Sequence, residues 1–201
     1  SNHISWTDII AIGSVADVTF VAKQGVRRTF FVGFMATLQR TLFVDYNSRV
    51  DTKRSSTEMA RRLAGNAAVL LFAEGHRDLG THVQPFRSAL VGAAQAAMRD
   101  GGAADVAIQP VTIAYTHLQG LPVSRTERAD ISGLNARGFK QVVNNLLTSN
   151  VKDVTIAFGA PIAMDVGSDR KVVTRLAETQ VRRMLVALNR HEKELPPVFA
   201  G

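Results

Sequence analysis

The chain has 201 residues and no cysteine, and its 24 Lys and Arg against 17 Asp and Glu give a formal net charge of +7. This length suits one α/β domain with its own core, and zero cysteines exclude disulfides, thiolate nucleophiles and zinc–cysteine sites. No 18-residue apolar run is present, so the sequence predicts no transmembrane helix, and the positive charge favours anionic partners: lipid headgroups, phosphorylated substrates, an acidic carrier protein or nucleic acid.

Apolar runs of strand length alternate with longer amphipathic or alanine-rich stretches along the whole chain. In chain order the predicted elements are a strand at 17–23, a helix at 28–39, a strand at 41–45, a helix at 52–66, a strand at 67–72, a helix at 87–99, a strand at 105–115 weakened by its internal proline, a loop at 119–133, a helix at 134–149, a strand at 151–159 and a basic amphipathic helix at 170–190. This alternation predicts a single α/β domain over residues 1–201, with a mostly parallel or mixed central sheet flanked by helices.

The chain opens on Asn-His-Ile-Ser-Trp-Thr-Asp, residues 2–8. Positions five apart on a helix are rotated by roughly 140°, so His3 and Asp8 can meet only if His3 lies in a turn and Asp8 in the first turn of the next helix. Residues 5–8 are close to a capping box, which would start that helix. A simpler alternative is a first-turn acid that favours the helix dipole, with His3 at a frayed end.

If the two side chains meet, Asp8 can orient His3 and stabilise its charged form, and His3 can act as a general base. No cysteine and no G-x-S-x-G serine accompanies the pair. The pair therefore suits an enzyme whose nucleophile is the hydroxyl of its own substrate.

Three further blocks follow in the sequence, at 22–45, 71–87 and 108–113. The second of these contains Glu-Gly-His-Arg at 74–77, then Gly80 and Pro-Phe-Arg at 85–87, and the last contains Pro-Val at 110–111. Together with the opening, the four blocks resemble the signature motifs of the glycerolipid acyltransferases, the lysophosphatidic acid acyltransferase family. The resemblance spans residues 2–113, and it implies a central sheet flanked by helices.

The resemblance also implies site residues. His3 and Asp8 correspond to the catalytic pair, and Glu74, Gly75 and Arg77 to residues that bind the polar head of the substrate. The block at 22–45 departs from the family pattern, because Tyr46 follows it where the family has an arginine thought to hold the acceptor phosphate. Arg40 and Arg49 lie close in the sequence and could take its place, and we expect Arg40 to bind substrate. The residues themselves leave a solvated turn at 74–77 as the alternative.

The activity implied is transfer of a fatty acyl group from acyl carrier protein or coenzyme A to a lysolipid hydroxyl, first of all that of 1-acyl-sn-glycerol-3-phosphate. No metal or redox cofactor is implied. Because Tyr46 stands where the family has that arginine, the alternative acceptor is a lyso-ornithine lipid, which lacks phosphate. Two other classes stay open, a thioesterase and a nucleic-acid-binding module; against the second, aromatics are only 6% of the residues.

We expect association with an anionic membrane surface, at the cytoplasmic face of a bacterial inner membrane. The apolar cluster at 30–35 could line an acyl groove or contact lipid, although a core helix explains it equally well. Family members often carry an apolar segment before the first block, so we expect one to precede residue 1. Basic residues of the last helix could contact anionic lipid; they are Lys171, Arg175, Arg182, Arg183 and Arg190.

Overall fold

The structure is a computed structural model, which describes residues 1–23, 25, 41–44, 49–101, 106–134 and 151–192. The predicted helix at 28–39 with its apolar cluster, and residues 135–149 of the predicted helix at 134–149, lie outside these ranges. So do Arg40 and Tyr46.

Helices and strands are interspersed along the described chain, as the sequence predicts for an α/β domain. The helices are α1 (Asp8–Val15), α2 (Arg49–Ala64), α3 (Ser88–Gly101), α4 (Arg125–Ser132) and α5 (Arg170–Asn189). The strands are β1 (Val18–Lys23), β2 (Leu42–Val44), β3 (Ala68–Leu70), β4 (Val106–Ile108), β5 (Val111–Leu118), β6 (Leu121–Pro122), β7 (Lys152–Phe158) and β8 (Ile162–Met164).

The described strands form three sheets, one with parallel pairing and two with antiparallel pairing. β1 lies between β2 and β3 and is parallel to both. β5 lies between β6 and β7 and is antiparallel to both, while β4 pairs with β8, also antiparallel. Parallel β2 and β3 are joined through α2, as the crossover between parallel strands requires.

Pro110 divides the strand that was predicted at 105–115. β4 ends before Gln109 and pairs with β8, whereas β5 begins at Val111 and pairs with β7. A proline has no N–H to offer a ladder, so a strand tends to break there. The internal proline therefore marks the point where the chain passes from one sheet to another.

The prediction of a loop over 119–133 is wrong, because this stretch forms β6 and α4. Helix α4 starts with a full capping box, in which the Ser124 side chain accepts from the Glu127 N–H and the Glu127 side chain accepts from the Ser124 N–H. It ends at Gly133, whose φ of 63° is left-handed. Its sequence is polar, so hydrophobic periodicity does not reveal it; the capping residues and the burial of Ile131 stabilise it.

The first two residues connect the parallel and antiparallel sheets. The Ser1 nitrogen donates to the Leu71 carbonyl at 2.9 Å, and the Ala73 N–H donates to the Ser1 carbonyl at 3.0 Å. On the other side, the Asn2 carboxamide donates to the Ile113 carbonyl at 3.0 Å and accepts from the Ile113 N–H at 2.9 Å. The Asn2 side chain thus pairs with β5 as a neighbouring strand would, and it leaves His3 at the junction of the sheets.

A hydrophobic cluster lies beneath this junction and draws on α1, β1, β3, β5 and α4. Its buried members are Ile4, Ile12, Phe20, Leu70, Ile113, Tyr115 and Ile131. The candidate site is therefore attached to a rigid core.

Candidate active site

His3 and Asp8 meet in the manner that their spacing requires. Helix α1 begins at Asp8, His3 precedes it outside the helix, and the His3 Nδ1 lies 2.8 Å from the Asp8 Oδ2. His3 is held on both sides of its backbone rather than frayed: its N–H donates to Glu74 and its carbonyl accepts from the Asp78 N–H.

The Asp8 carboxylate is fully buried and hydrogen-bonded at both oxygens. Oδ2 accepts from the backbone N–H groups of Ile4 and Ser5 at 2.7 and 3.0 Å as well as from His3. Oδ1 accepts from the Tyr115 hydroxyl at 2.8 Å. Such donors stabilise the ionised form of a buried carboxylate.

The predicted capping box at residues 5–8 forms only in half. The Ser5 N–H donates to Asp8, but the N-cap residue is Thr7, whose side chain makes no capping bond. The Asp8 carboxylate is turned towards the preceding turn and His3, because four donors converge on it there.

The His3 ring is oriented by stacking as well as by Asp8. Its centroid lies 4.0 Å from that of Phe72, with 21° between the ring planes. Because the ionised Asp8 accepts from Nδ1, the neutral ring carries its proton there and Nε2 keeps a free lone pair. Within the described residues Nε2 has no hydrogen bond, and 18% of the side chain is exposed. The geometry thus presents a base with one accessible nitrogen.

Glu74 lies next to this base, but both of its oxygens are occupied by backbone groups. Oε2 accepts from the His3 N–H at 2.6 Å and Oε1 from the Gln84 N–H at 2.8 Å, and the residue is 1% exposed. Burial raises the pKa of the Glu74 carboxyl to about 7, although the two N–H donors oppose the shift. Glu74 therefore holds the backbone of His3 in place.

Gly75 and Arg77 follow in the same loop. Gly75 has a φ of 74°, so its backbone favours glycine, and the side chain of Arg87 lies close to it: a Cβ at position 75 would be 2.8 Å from the Arg87 Nε. Arg77 donates from Nη1 to the Ser132 carbonyl at the end of α4, at 3.1 Å. The exposed Arg87 guanidinium next to Gly75 is a cation near the site that the sequence reasoning did not select.

Three residues that support the pair were also missed: Asn2, Phe72 and Tyr115. Asn2 belongs to the opening motif, where only His3 and Asp8 were assigned roles. Tyr115 ends the apolar part of a strand and is 2% exposed; a buried tyrosine needs a partner for its hydroxyl, which is the one signal available in the sequence. Burial, and then the charge of Asp8, raise the Tyr115 pKa, so its hydroxyl stays protonated.

The described residues offer neither a metal site nor a membrane span. They contain no group of three or more His, Cys, Asp or Glu side chains placed to hold a metal ion. None of the helices among them has both the length and the apolar character needed to cross a bilayer.

Comparison with known proteins identifies the family. The sequence profile of the family described as Acyltransferase matches residues 1–114, which include His3, Asp8 and the Glu74–Arg77 loop and end one residue before Tyr115. The chain belongs to this acyltransferase family. Within it, a lyso-ornithine lipid O-acyltransferase of Brucella abortus is 40% identical over 92% of this chain and 69% of its own length.

Other members of the family are similar over most of the chain. A lyso-ornithine lipid O-acyltransferase of Rhizobium meliloti is 34% identical over 92% of this chain and 63% of its own length. A 1-acyl-sn-glycerol-3-phosphate acyltransferase of Neisseria gonorrhoeae is 31% identical over 80% of this chain and 60% of its own length. The chain thus spans between 60% and 69% of the three relatives.

A solved structure shows the same fold. The crystal structure of the 1-acyl-sn-glycerophosphate (LPA) acyltransferase of Thermotoga maritima matches 97% of this chain and 66% of its own, with a TM-score of 0.57 and 20% identity. The predicted α/β class and the predicted glycerolipid acyltransferase family are both confirmed.

Proposed function

We propose that this chain transfers a fatty acyl group from a thioester to the hydroxyl of a lysolipid, and that its preferred acceptor is a lyso-ornithine lipid. The observation that carries the proposal is the His3–Asp8 pair, in which a buried carboxylate fixes an imidazole whose Nε2 is free. A base of this kind, with no protein nucleophile beside it, suits a substrate that brings its own hydroxyl.

The proposed reaction is a single displacement at the thioester carbonyl. Nε2 of His3 takes the hydroxyl proton of the lysolipid as its oxygen forms a bond to the carbonyl carbon. The tetrahedral intermediate then expels the thiolate, which takes the proton from the imidazolium. The products are the acylated lipid and the free thiol of the carrier. Asp8 stabilises the imidazolium between the two proton transfers.

Two observations favour the lyso-ornithine acceptor. The relatives with 40% and 34% identity both carry that name, whereas the glycerol-phosphate enzyme of Neisseria is 31% identical. In addition, Tyr46 replaces the arginine that the family resemblance assigns to the acceptor phosphate. An acceptor without phosphate does not require that cation.

Lysophosphatidate (1-acyl-sn-glycerol-3-phosphate), the acceptor that the family resemblance implies first, is the second candidate. Arg77 is retained from the family motif, and a guanidinium binds phosphate oxygens with two donors. In either case we assign the polar head of the acceptor to the loop of Gly75 and Arg77, and the assignment of Arg40 to the acceptor stays a prediction from the sequence. Glu74 would act on that site indirectly, because its carboxylate is engaged by the backbone of His3 and Gln84.

The donor in this proposal is an acyl thioester of coenzyme A or acyl carrier protein, and the chemistry requires no metal or redox cofactor. A lipid acceptor dissolved in a bilayer would bring the enzyme to the cytoplasmic face of the bacterial inner membrane.

The test is a single assay with a radiolabelled acyl thioester and three parallel reactions: lyso-ornithine lipid, lysophosphatidate, and no acceptor.

Acylated lyso-ornithine lipid as the main product supports the proposal. Phosphatidate as the main product would show that the preferred acceptor is lysophosphatidate. Release of free fatty acid at the same rate without an acceptor would make the protein a thioesterase and refute the proposal.

The base is tested with His3→Ala and Asp8→Asn. We expect His3→Ala to lower kcat by about 10²–10⁴-fold, the usual contribution of a general base. Asp8→Asn should also cost heavily, since an amide favours the other imidazole tautomer. The matched control is His191→Ala, which removes an exposed histidine beyond α5 and should leave kcat unchanged. Full activity in a folded His3→Ala protein would reject the mechanism.

A further inference from the structure

Tyr115 contacts the catalytic pair from a distant part of the chain. Its hydroxyl donates to the Asp8 Oδ1 at 2.8 Å, although the two residues are 107 positions apart in the sequence. The three other donors to this carboxylate all bind Oδ2. Within the described residues Tyr115 is therefore the only hydrogen-bond partner of Oδ1, which lies in a fully buried side chain.

The Thr7 hydroxyl bonds to Tyr115 and does not cap helix α1. Thr7 is the N-cap residue of α1, a position where a threonine side chain normally accepts from the helix N–H groups. Here it makes no capping bond, and its hydroxyl lies 2.5 Å from the Tyr115 oxygen. Because Tyr115 donates to Asp8, Thr7 must donate to Tyr115. A local rule broken in this way commonly marks a functional requirement.

We propose that Tyr115 is a positioning residue for acyl transfer, which fixes the plane of the Asp8 carboxylate and moderates its charge at His3. The torsion that rotates a carboxylate is soft, and bonds to Oδ2 alone would leave the plane free to rotate about that oxygen. A donor on Oδ1 prevents the rotation. It also draws negative charge away from Oδ2, so Asp8 stabilises the imidazolium less strongly than it would if Oδ1 had no donor.

This inference rests on the proposed role of His3 as a general base. The titratable groups around His3 come from three segments: Asp8 of α1, Glu74 and Asp78 of the loop after β3, and Tyr115 of β5. Phe72, which stacks on the ring, is uncharged. Burial raises the pKa of the neighbouring Glu74 to about 7, so the effect of Tyr115 must be measured as a difference between proteins that share an intact Glu74.

The decisive variant is Tyr115→Phe, which removes one hydroxyl and keeps the ring in the core. The His3 imidazole is titrated by NMR, with its signal assigned by its absence in His3→Ala, and the pH profile of kcat/KM is recorded in parallel. We expect the His3 pKa and the acid limb of the profile to rise together by about 0.5–1 pH unit. We expect kcat to fall about 10-fold, as for the loss of one charge-assisted hydrogen bond.

Thr112→Val is the matched control on the same strand. Thr112 is fully buried and its hydroxyl donates to the Val181 carbonyl at 3.2 Å, on the other side of the sheet from this network. Its loss should reduce stability without moving the His3 pKa.

Thr7→Val is a second variant of the network itself. It should shift the His3 pKa in the same direction as Tyr115→Phe by a smaller amount, and it tests the proposal if Tyr115→Phe fails to fold.

An unchanged His3 pKa in a folded Tyr115→Phe protein, or an equal shift in Thr112→Val, would overturn the proposal and leave Tyr115 a structural residue. The ring titration does not depend on turnover. A wild-type protein without acyltransferase activity would therefore refute the proposed function, while the NMR result would still decide the role of Tyr115.

Discussion

At the scale of single residues, the site holds two buried carboxylates that differ in their donors. Asp8 accepts four hydrogen bonds, two of them from side chains, whereas Glu74 accepts two from backbone N–H groups. Burial consequently dominates at Glu74 and raises the pKa to about 7. The protonated form of Glu74 is the one favoured in the folded protein over much of the acidic range.

This pKa predicts how stability depends on pH. The folded pKa of about 7 lies above the ordinary value of 4.5, so the folded state binds more protons than the unfolded state between these values. The free energy of unfolding must then fall as the pH rises through this window, by about 3 kcal/mol if one pKa unit equals about 1.4 kcal/mol.

Glu74→Gln, which does not titrate, tests this prediction. Urea denaturation is measured at pH 4.5, 6 and 8. The unfolding free energy of the wild type minus that of the variant should decrease as the pH rises. The variant should also transfer acyl groups more slowly, because its amide N–H₂ cannot accept the N–H of both His3 and Gln84. A difference that stays constant across the three pH values would contradict the raised pKa.

The residues of the site differ in how far the sequence predicts them. His3 and Asp8 are predictable because five residues separate them and local geometry brings them together. Tyr115 is not, since its contact with Asp8 depends on the register of β5 against the N-terminal segment, which Asn2 sets through Ile113. A motif records residues that are close in sequence; it does not record the strand that completes their hydrogen bonds.

At the scale of elements, the loop from β3 to α3 is anchored under the catalytic pair. Gly80 is buried with a φ of 71°, and a Cβ there would lie 2.5 Å from the Ile4 Cδ1. Its carbonyl accepts from the Asn189 side chain at 2.9 Å, which ties the loop to α5. Since Ile4 follows His3 directly, displacement of this loop would move the base.

Gly80→Ala is therefore expected to affect both stability and activity. Gly120 offers a matched control, because its φ of 79° is equally left-handed but a Cβ there would meet no atom within 4 Å. Gly120→Ala should cost about 1 kcal/mol from backbone strain alone. Gly80→Ala should cost about 1–3 kcal/mol more from overpacking, and it should lower kcat as well. Equal losses in the two variants, measured by denaturation and turnover, would exclude the contact with Ile4.

Helix α4 shows why elements of this chain are unequally predictable. The strand at 151–159 and the helix at 170–190 were predicted from apolar patterns, and β7 and α5 confirm them. Helix α4 has few apolar residues, so its signal lies in Ser124, Glu127 and the terminal Gly133. Capping residues specify where a helix starts and stops, but they do not show whether it is stable. The burial of Ile131 in the core, which the sequence does not reveal, adds that stability.

At the scale of the whole molecule, α5 presents two different faces. One packs on β5 and β7 through Val181, Met184 and Leu185, which are at most 1% exposed. The other carries exposed basic residues and exposed apolar residues together. They are Lys171, Arg175, Arg183, Val172, Leu176 and Val186. Apolar side chains can enter the interface of a membrane and basic side chains can contact anionic headgroups, so this exposed face carries the two kinds of residue that bind an anionic membrane surface.

This face and the net charge of +7 predict reversible binding to anionic vesicles. Each basic residue near such a surface contributes about 1 kcal/mol, so binding should rise with the anionic lipid fraction and fall with salt. The variant Arg175→Gln/Arg183→Gln should bind at least 10-fold more weakly, since two charges correspond to about 2 kcal/mol.

Arg61→Gln/Arg99→Gln serves as the control, because it removes the same charge from exposed residues of α2 and α3. Vesicle sedimentation at 50 and 300 mM salt measures both variants. If the two lose affinity equally, the net charge matters and the α5 face does not. If wild type binds neutral and anionic vesicles with the same affinity, electrostatic attraction is not what brings this acyltransferase to its lipid.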